Sequence, residues 1–253
     1  MHSTCRILLS QQQYLWEHLQ ALDGGRLDWL SVSEQLRLAT LHQPTRRQEF
    51  IACRWALRQV LSMHATQVTE WQLGCDAGQP PNIQISPLHA LCADWHLSLT
   101  HSGTEIACAA APSPVGIDIE LLAPRRQRSP VLEAASLVCA PSELRQIQSL
   151  PTEAAQRTSL LRYWSLKEAF FKYARTGLNW VQLPKITCTH VTNNQMVPAT
   201  AIAYARVWES QSAVLAVCSQ QAMTKYLFAT QYADTVWNSV TDWYFISETT
   251  SVS

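Results

Sequence analysis

Two carboxylates two residues apart carry the first chemical signal in this chain. The segment Val115-Gly116-Ile117-Asp118-Ile119-Glu120 alternates in the manner of a strand. Residues i and i+2 share one face of a strand. Asp118 and Glu120 therefore point together, while Ile117 and Ile119 bury on the other side. Adjacent carboxylates repel unless positive charge lies between them. A hard cation such as Mg²⁺, held by one or two carboxylates plus phosphate oxygens, meets that need. Taken alone, the pattern also describes two solvated acids on a half-exposed strand.

Three further groups carry chemistry. In Trp164-Ser165-Leu166-Lys167-Glu168-Ala169-Phe170-Phe171-Lys172, helical spacing makes Glu168 and Lys172 i, i+4 neighbours, with Trp164 one turn earlier. By itself this is also an ordinary surface ion pair. In Leu99-Thr100-His101-Ser102-Gly103, a histidine flanked by hydroxyls is placed in a strand-end turn, where it could hold a phosphate or serve as a structural hydrogen-bonding group. Arg46-Arg47 open a helix with Arg54 two turns on, which suits phosphate as well as a solvated basic face.

Composition bounds the function. The 253 residues carry 19 Lys+Arg against 19 Asp+Glu, so a protein that coats nucleic acid by bulk charge is excluded. Neutrality hides a basic stretch: residues 125–175 hold nine basic and four acidic side chains, and two of the chain's four lysines, Lys167 and Lys172, fall within it. Hydrophobic residues make up 47% and charged residues 15%, enough for a real core. Neither G-x-G-x-x-G nor G-x-x-x-x-G-K-[ST] occurs, nor G-x-S-x-G, H-E-x-x-H or the zinc-deaminase pattern. The eight cysteines are scattered with no C-x-x-C pair and no zinc spacing, and no stretch approaches 18 continuous apolar residues. The apolar run Ile7-Leu8-Leu9 is too short for a signal core. A reduced, cytoplasmic protein with no membrane span is expected, its cysteines acting as small buried hydrophobes.

The elements that must position these groups follow from periodicity. Helices are expected over 11–23, 31–42 and 45–64, the last with Phe50, Trp55, Leu57, Val60 and Leu61 on its apolar stripe. Residues 74–94, rich in Gly and Pro, are expected to be mostly turns. Strands 95–100 and 105–111, joined by a turn at His101-Ser102-Gly103, make a hairpin. Pro112-Ser113-Pro114 is a hinge between an N-terminal half, 1–112, and a C-terminal half, 113–253. After the strand at 115–120 and a Pro/Arg-rich loop at 123–130, helices are expected over 131–148, broken near Pro141, and 153–175. Strands are expected at 185–191, 199–208 and 213–218. The tail, 220–253, is expected to add a short helix near 230–240.

The order of the four motifs matters more than any one of them. Arg46-Arg47-Gln48-Glu49-Phe50-Ile51-Ala52-Cys53-Arg54, Thr100-His101-Ser102-Gly103, Gly116-Ile117-Asp118-Ile119-Glu120 and Trp164 to Lys172, in that order, resemble the Sfp-type 4′-phosphopantetheinyl transferases. The resemblance runs from about residue 42 to 218. It implies an α+β fold: a pseudo-dimer of two similar halves, each a small antiparallel sheet on a long helix, with the site between them. It implies a monomeric enzyme that moves the phosphopantetheine arm of coenzyme A onto a serine of an acyl, polyketide or peptidyl carrier protein, releasing 3′,5′-ADP with the help of Mg²⁺. No nucleic acid or membrane is involved.

Carried over by position, Asp118, Glu120 and Glu168 are implied as Mg²⁺ ligands, with Glu168 also the candidate general base. Lys172 is implied to stabilise charge on the pyrophosphate. Thr100 and His101 are implied as coenzyme A phosphate contacts and Arg47 as a contact to the 3′-phosphate. Lys167 is implied to contact phosphate or support the site, and Trp164 to pack the helix on the sheet. Departures from the family pattern are Cys53 and Gln79, where glycine and lysine are usual, and a tail of about 35 residues after Cys218. The basic residues Arg125, Arg126 and Arg128 are placed to meet the acidic face of a carrier protein. Two other readings remain: a different Mg²⁺-dependent enzyme of phosphate esters, such as a nuclease using Asp118 and Glu120, and a non-catalytic module that holds coenzyme A or a carrier protein.

Overall fold

Eleven strands and six helices are assigned in the computed structural model, which describes residues 4–24, 26–63, 68–76, 79–85, 94–122, 130–192, 196–230 and 237–247. The first part of the chain forms β1 (Thr4–Gln11), α1 (Gln12–Asp23), α2 (Val32–Ala39), α3 (Pro44–Leu61), β2 (Gln72–Gly74), β3 (Asn82–Ile85), β4 (His96–Ser102) and β5 (Glu105–Ala111). The second part forms β6 (Val115–Leu121), α4 (Val131–Val138), α5 (Pro141–Gln148), α6 (Glu153–Ala174), β7 (Ile186–His190), β8 (Ala203–Glu209), β9 (Ala213–Ser219), β10 (Lys225–Thr230) and β11 (Ser239–Ser247). This is a mixed α+β protein. It divides into a unit of Met1–Ile117 with Met223–Asp234 and a unit of Asp118–Ala222 with Thr235–Ser253.

In the first unit the sheet order is β10-β1-β5-β4. β5 pairs antiparallel with both β1 and β4, while β10 runs parallel to β1. Ile106, Cys108 and Ala110 alternate onto the face that meets α3, where Ile51, Trp55 and Leu57 are buried. The small side chains of β5 let the helix approach closely. Pro44 suits the first turn of α3, where its missing N–H costs nothing.

The second unit is built on five strands in the order β6-β9-β8-β11-β7. Val214, Ala216 and Cys218 of β9 alternate onto the face covered by Tyr163, Leu166, Ala169 and Phe170 of α6. α6 starts at an N-cap, Thr152, whose side chain accepts from the Ala155 N–H, and it stops at Arg175 in a left-handed conformation (φ 57°). No proline or glycine interrupts its 22 residues.

Each unit also holds a buried ion pair between a cation on its long helix and a glutamate on a short one. Arg58 of α3 donates to both carboxylate oxygens of Glu34 at 3.1 and 2.6 Å, and to the carbonyls of Trp71, Arg54 and Trp29. Glu34 in turn closes the cap of α2 by accepting from the Ser31 N–H. Lys167 of α6 meets Glu143 at 2.7 Å, and Glu143 accepts from the Ala140 N–H at the start of α5. Removing one partner of such a pair leaves an uncompensated buried charge, at about 3–5 kcal/mol.

Several sequence expectations need correction. Cys5 to Leu9 form β1, the second strand of the first sheet, because Ile7 and Leu9 lie buried on one face and Leu8 on the other. Residues 72–74 and 82–85 pair as a small ribbon. His101 and Ser102 still belong to β4, and the turn falls at Gly103-Thr104, where Gly103 supplies φ 59°. The tail forms strands: β10 covers the edge of β1, and β11 inserts between β8 and β7. The expected helix near 230–240 therefore gives way to β11 from Ser239, and its residues 231–236 lie outside the described set. β10 belongs to the first unit.

Candidate functional site

In the second unit, β6 and α6 bring the acidic residues together. Asp118 is 2% exposed, and its backbone carbonyl accepts from Ser165 Oγ of α6 at 3.1 Å, which pins strand to helix. Lys172 Nζ donates to Asp118 Oδ1 at 2.7 Å and lies 3.4 Å from Glu168 Oε2. One ammonium thus draws a strand carboxylate and a helix carboxylate to a common point. Glu120, two residues along β6, accepts from Trp164 Nε1 at 3.1 Å. Trp164, Glu168 and Lys172 stand at i, i+4 and i+8, so one face of α6 addresses all of them.

The electrostatics follow from this crowding. Burial and the charge of Asp118 push the Glu168 carboxyl up from its ordinary 4.5 to about 7, against the pull of Lys172. Burial by itself would lower the Lys172 ammonium, but the carboxylates of Asp118 and Glu168 outweigh it and raise the pKa. Among the described residues no three His, Cys, Asp or Glu side chains are close enough to cage a metal by themselves. The donor set still fits Mg²⁺. That ion takes oxygen only, is bound by one or two carboxylates, and fills its remaining positions with water and substrate phosphate oxygens.

Lys167 stands apart from the phosphate contact implied for it. It is 0% exposed, and its three donors are taken by Val138 O, Glu143 Oε2 and Leu183 O at 2.9, 2.7 and 2.8 Å. Glu143 Oε1 accepts from the Cys188 N–H at 2.7 Å, so this centre ties α6 to α4, α5 and β7. With no donor left and no path to solvent, Lys167 supports the site from within the core.

In the first unit, Thr100 and His101 are neighbours on β4 and face opposite ways: Thr100 is 6% exposed, whereas the His101 side chain is 43% exposed. His101 Nε2 lies 2.8 Å from Glu49 Oε1 of α3, and Arg46 Nη1 reaches Glu49 Oε2 at 3.0 Å. Arg47 donates to the carbonyls of Leu38, in the last turn of α2, and Leu41, just beyond it, at 2.7 and 3.2 Å. Arg54 meets Cys75 Sγ at 3.0 Å and stacks on Phe50. Arg125, Arg126 and Arg128, and Gly78 beside Gln79, lie outside the described residues. The seven described cysteines are free thiols, and all but Cys75 are buried.

Sequence reasoning missed three partners. The Trp164 indole binds Glu120, a contact signalled only by its place one turn before Glu168. Ser165 holds the backbone of Asp118, and nothing in the sequence announces that bond. Glu49 lies inside the arginine-rich motif, and its partner His101 is distant in the sequence, so no local pattern signals the contact.

A family model for the 4′-phosphopantetheinyl transferase superfamily matches residues 114–228, the stretch from β6 into β10. The chain is similar to the 4′-phosphopantetheinyl transferase of Bacillus subtilis, 34% identical over 86 residues, which cover 34% of this chain and 36% of that protein. It is also similar to the 4′-phosphopantetheinyl transferase HetI of Nostoc sp. (strain PCC 7120 / SAG 25.82 / UTEX 2576), 28% identical over 212 residues, covering 77% of this chain and 83% of that protein. A third relative, the 4′-phosphopantetheinyl transferase psf-1 of Bacillus pumilus, is 34% identical over 34% of each chain. The chain thus spans about a third of the length of the two Bacillus relatives and most of the Nostoc one. No described helix is long and apolar enough to cross a membrane.

Proposed function

We propose that the chain, whose residues 114–228 match a family model for the 4′-phosphopantetheinyl transferase superfamily, transfers the phosphopantetheine arm of coenzyme A to a serine hydroxyl of an apo carrier protein. The observation that carries the reading is the junction of β6 and α6, where Lys172 joins Asp118 and Glu168 while Trp164 holds Glu120. Asp118, Glu120 and Glu168 are the residues that would hold Mg²⁺, one or two of them together with phosphate oxygens of the donor, and the bound ion would supply charge neutralisation at the pyrophosphate.

The chain's own groups supply the rest. Glu168 takes the proton of the carrier serine, directly or through a water. Lys172 stabilises negative charge on the pyrophosphate as the bond to 3′,5′-ADP breaks. Trp164 fixes the rotamer of Glu120. Lys167 and Ser165 hold α6 against its neighbours so that Glu168 and Lys172 keep their aim. Arg47, Thr100 and His101 belong to the donor's phosphate side. The acceptor is a carrier domain of fatty-acid, polyketide or nonribosomal-peptide type, met by the basic residues Arg125, Arg126 and Arg128. We place the enzyme in the cytoplasm as a monomer that engages neither nucleic acid nor membrane.

The test is direct. The full chain is incubated with coenzyme A, Mg²⁺ and apo carrier proteins of each class, and the carrier is weighed by mass spectrometry for the added phosphopantetheine. A folded protein that modifies none of them sinks the reading, and hydrolysis of phosphate esters without coenzyme A would move it to another enzyme class.

A further inference from the structure

The second unit holds a cavity that shares no residue with the candidate site. It encloses about 610 Å³ between α5, the first half of α6 and the strands β7, β8 and β11, so every lining residue belongs to that unit. Volumes of this size accept small organic molecules. The floor is aromatic. Tyr163 and Trp243 are 2% and 7% exposed and meet edge to face at 5.9 Å and 82°. His190 leans on the Trp243 ring at 5.2 Å. The polar ends of both floor rings are spent within the protein. Tyr163 donates its hydroxyl to Gln146 Oε1 at 2.6 Å, and Trp243 Nε1 donates to Thr241 Oγ1 at 2.9 Å. Arg162 is paired with Glu209, which accepts from its Nε and its Nη2. These two charges cancel, so the pair gives the wall no excess with which to draw an ion.

Ser159 is the exception to this internal matching. It lines the cavity and is 7% exposed, and its hydroxyl has no hydrogen-bond partner among the described residues. Thr158 beside it takes the usual course and donates to the Ala154 carbonyl one turn back, at 3.1 Å. A hydroxyl set so deep costs free energy unless a bound group answers it. The features together define a ligand. Aromatic walls favour aromatic rings. One unmatched hydroxyl favours one hydrogen-bonding group, and cancelled charges favour a neutral molecule. We propose that this cavity is a binding site for an uncharged, hydroxyl-bearing aromatic small molecule, whose rings pack on Tyr163 and Trp243 and whose hydroxyl pairs with Ser159. The site stands independently of the transferase reading, although α6 also carries Glu168 and Lys172.

The probes are 2-naphthol and naphthalene, titrated separately into the full chain. The readout is the ¹H–¹⁵N spectrum of the ten tryptophan indoles. The Trp243 signal is identified by its loss in Trp243→Phe, or by its shift in Thr241→Val, which removes its acceptor. 2-Naphthol should saturate that signal with a Kd of about 100 µM or tighter, within the range open to a ligand of this size. In Ser159→Ala the affinity of 2-naphthol relative to naphthalene should fall about fivefold, the scale of one net hydrogen bond. Thr158→Phe and Leu150→Trp fill the cavity from its wall, and each should weaken binding of both probes by about tenfold or more, with circular dichroism reporting the fold. A Trp243 signal that stays still, or that drifts in step with the other indoles without saturating, overturns the proposal. So does an unchanged ratio in Ser159→Ala, or binding that survives both filling variants. Should neither filling variant fold, the ratio in Ser159→Ala decides alone.

Discussion

The ammonium of Lys172 lies 2.7 Å from Oδ1 of Asp118, so a residue of the long helix reaches back to a strand 54 positions earlier. The same ammonium stands 3.4 Å from Glu168. Lys172 is therefore a counter-charge shared by two crowded carboxylates.

Lys172→Met tests that role. Without the ammonium, Asp118 and Glu168 repel across a short gap, and the Mg²⁺-free protein should lose about 1–3 kcal/mol, less than a fully buried pair because Lys172 is partly exposed. Thermal melts with and without Mg²⁺ check this. Mg²⁺ should raise the Tm of the variant more than that of the wild type. Transfer should fall by about a hundredfold or more, the scale of one lost electrostatic contact in the transition state. A chelator should abolish transfer in the wild type, and Mg²⁺ should restore it.

Trp164→Phe keeps the aromatic packing and removes the N–H on Glu120. A partner that only orients a ligand typically changes metal affinity by about 10–100-fold. The Mg²⁺ concentration for half-maximal transfer should rise by a factor at the lower end of that range, with kcat at saturating Mg²⁺ changing less. A variant whose Mg²⁺ dependence matches the wild type would leave the bond without a role in the site.

Lys167→Met separates support from chemistry. The three bonds of its ammonium go to Val138, Glu143 and Leu183, and the change strands Glu143 in the core. Stability should drop by about 3–5 kcal/mol. In the fraction that stays folded, at low temperature, the KM for coenzyme A should stay near the wild-type value. A selective rise in that KM would return Lys167 to the phosphate site.

The buried thiols predict alkaline sensitivity. Burial pushes Cys5 and Cys53 up from 9.0 to about 12, and Cys108, Cys188 and Cys218 well above 9.0. Between about pH 9 and 12 the unfolded chain sheds these protons while the folded one keeps them. Their contribution is full below pH 9 and is lost as the pH rises through 12, at about 1.4 kcal/mol per pH unit for each thiol. Denaturant melts from pH 8 to 11 should show the decline, and Cys53→Ala should make it shallower by the share of one proton.

Elements with strong local periodicity were legible. α3, α6 and the β4–β5 hairpin stand where apolar spacing put them, and Pro141 opens α5 after a break from α4. β1 and β10 were not legible, because each becomes a strand only through the other's backbone and that of β5. The same holds for β11, whose residues gain their pairing from β7 and β8. At the candidate site, the residue types of Asp118, Glu120, Glu168 and Lys172 announced themselves through spacing. Lys167 misled for a physical reason: a lysine beside an acidic motif looks reactive until its direction is known, and direction depends on which face of α6 meets Glu143. Glu49 was invisible for the opposite reason, since its partner His101 lies 52 residues away.

Lys167 and Glu168 are consecutive, yet one is locked inside the core and the other looks out at Asp118 and Lys172. A genetic screen for inactive alleles would therefore collect two unlike phenotypes from a single peptide bond. Changes at 167 would deplete the protein from the cell, while changes at 168 would leave it abundant and silent. Sorting such alleles by protein abundance, before any assay of turnover, would read out the orientation of the helix.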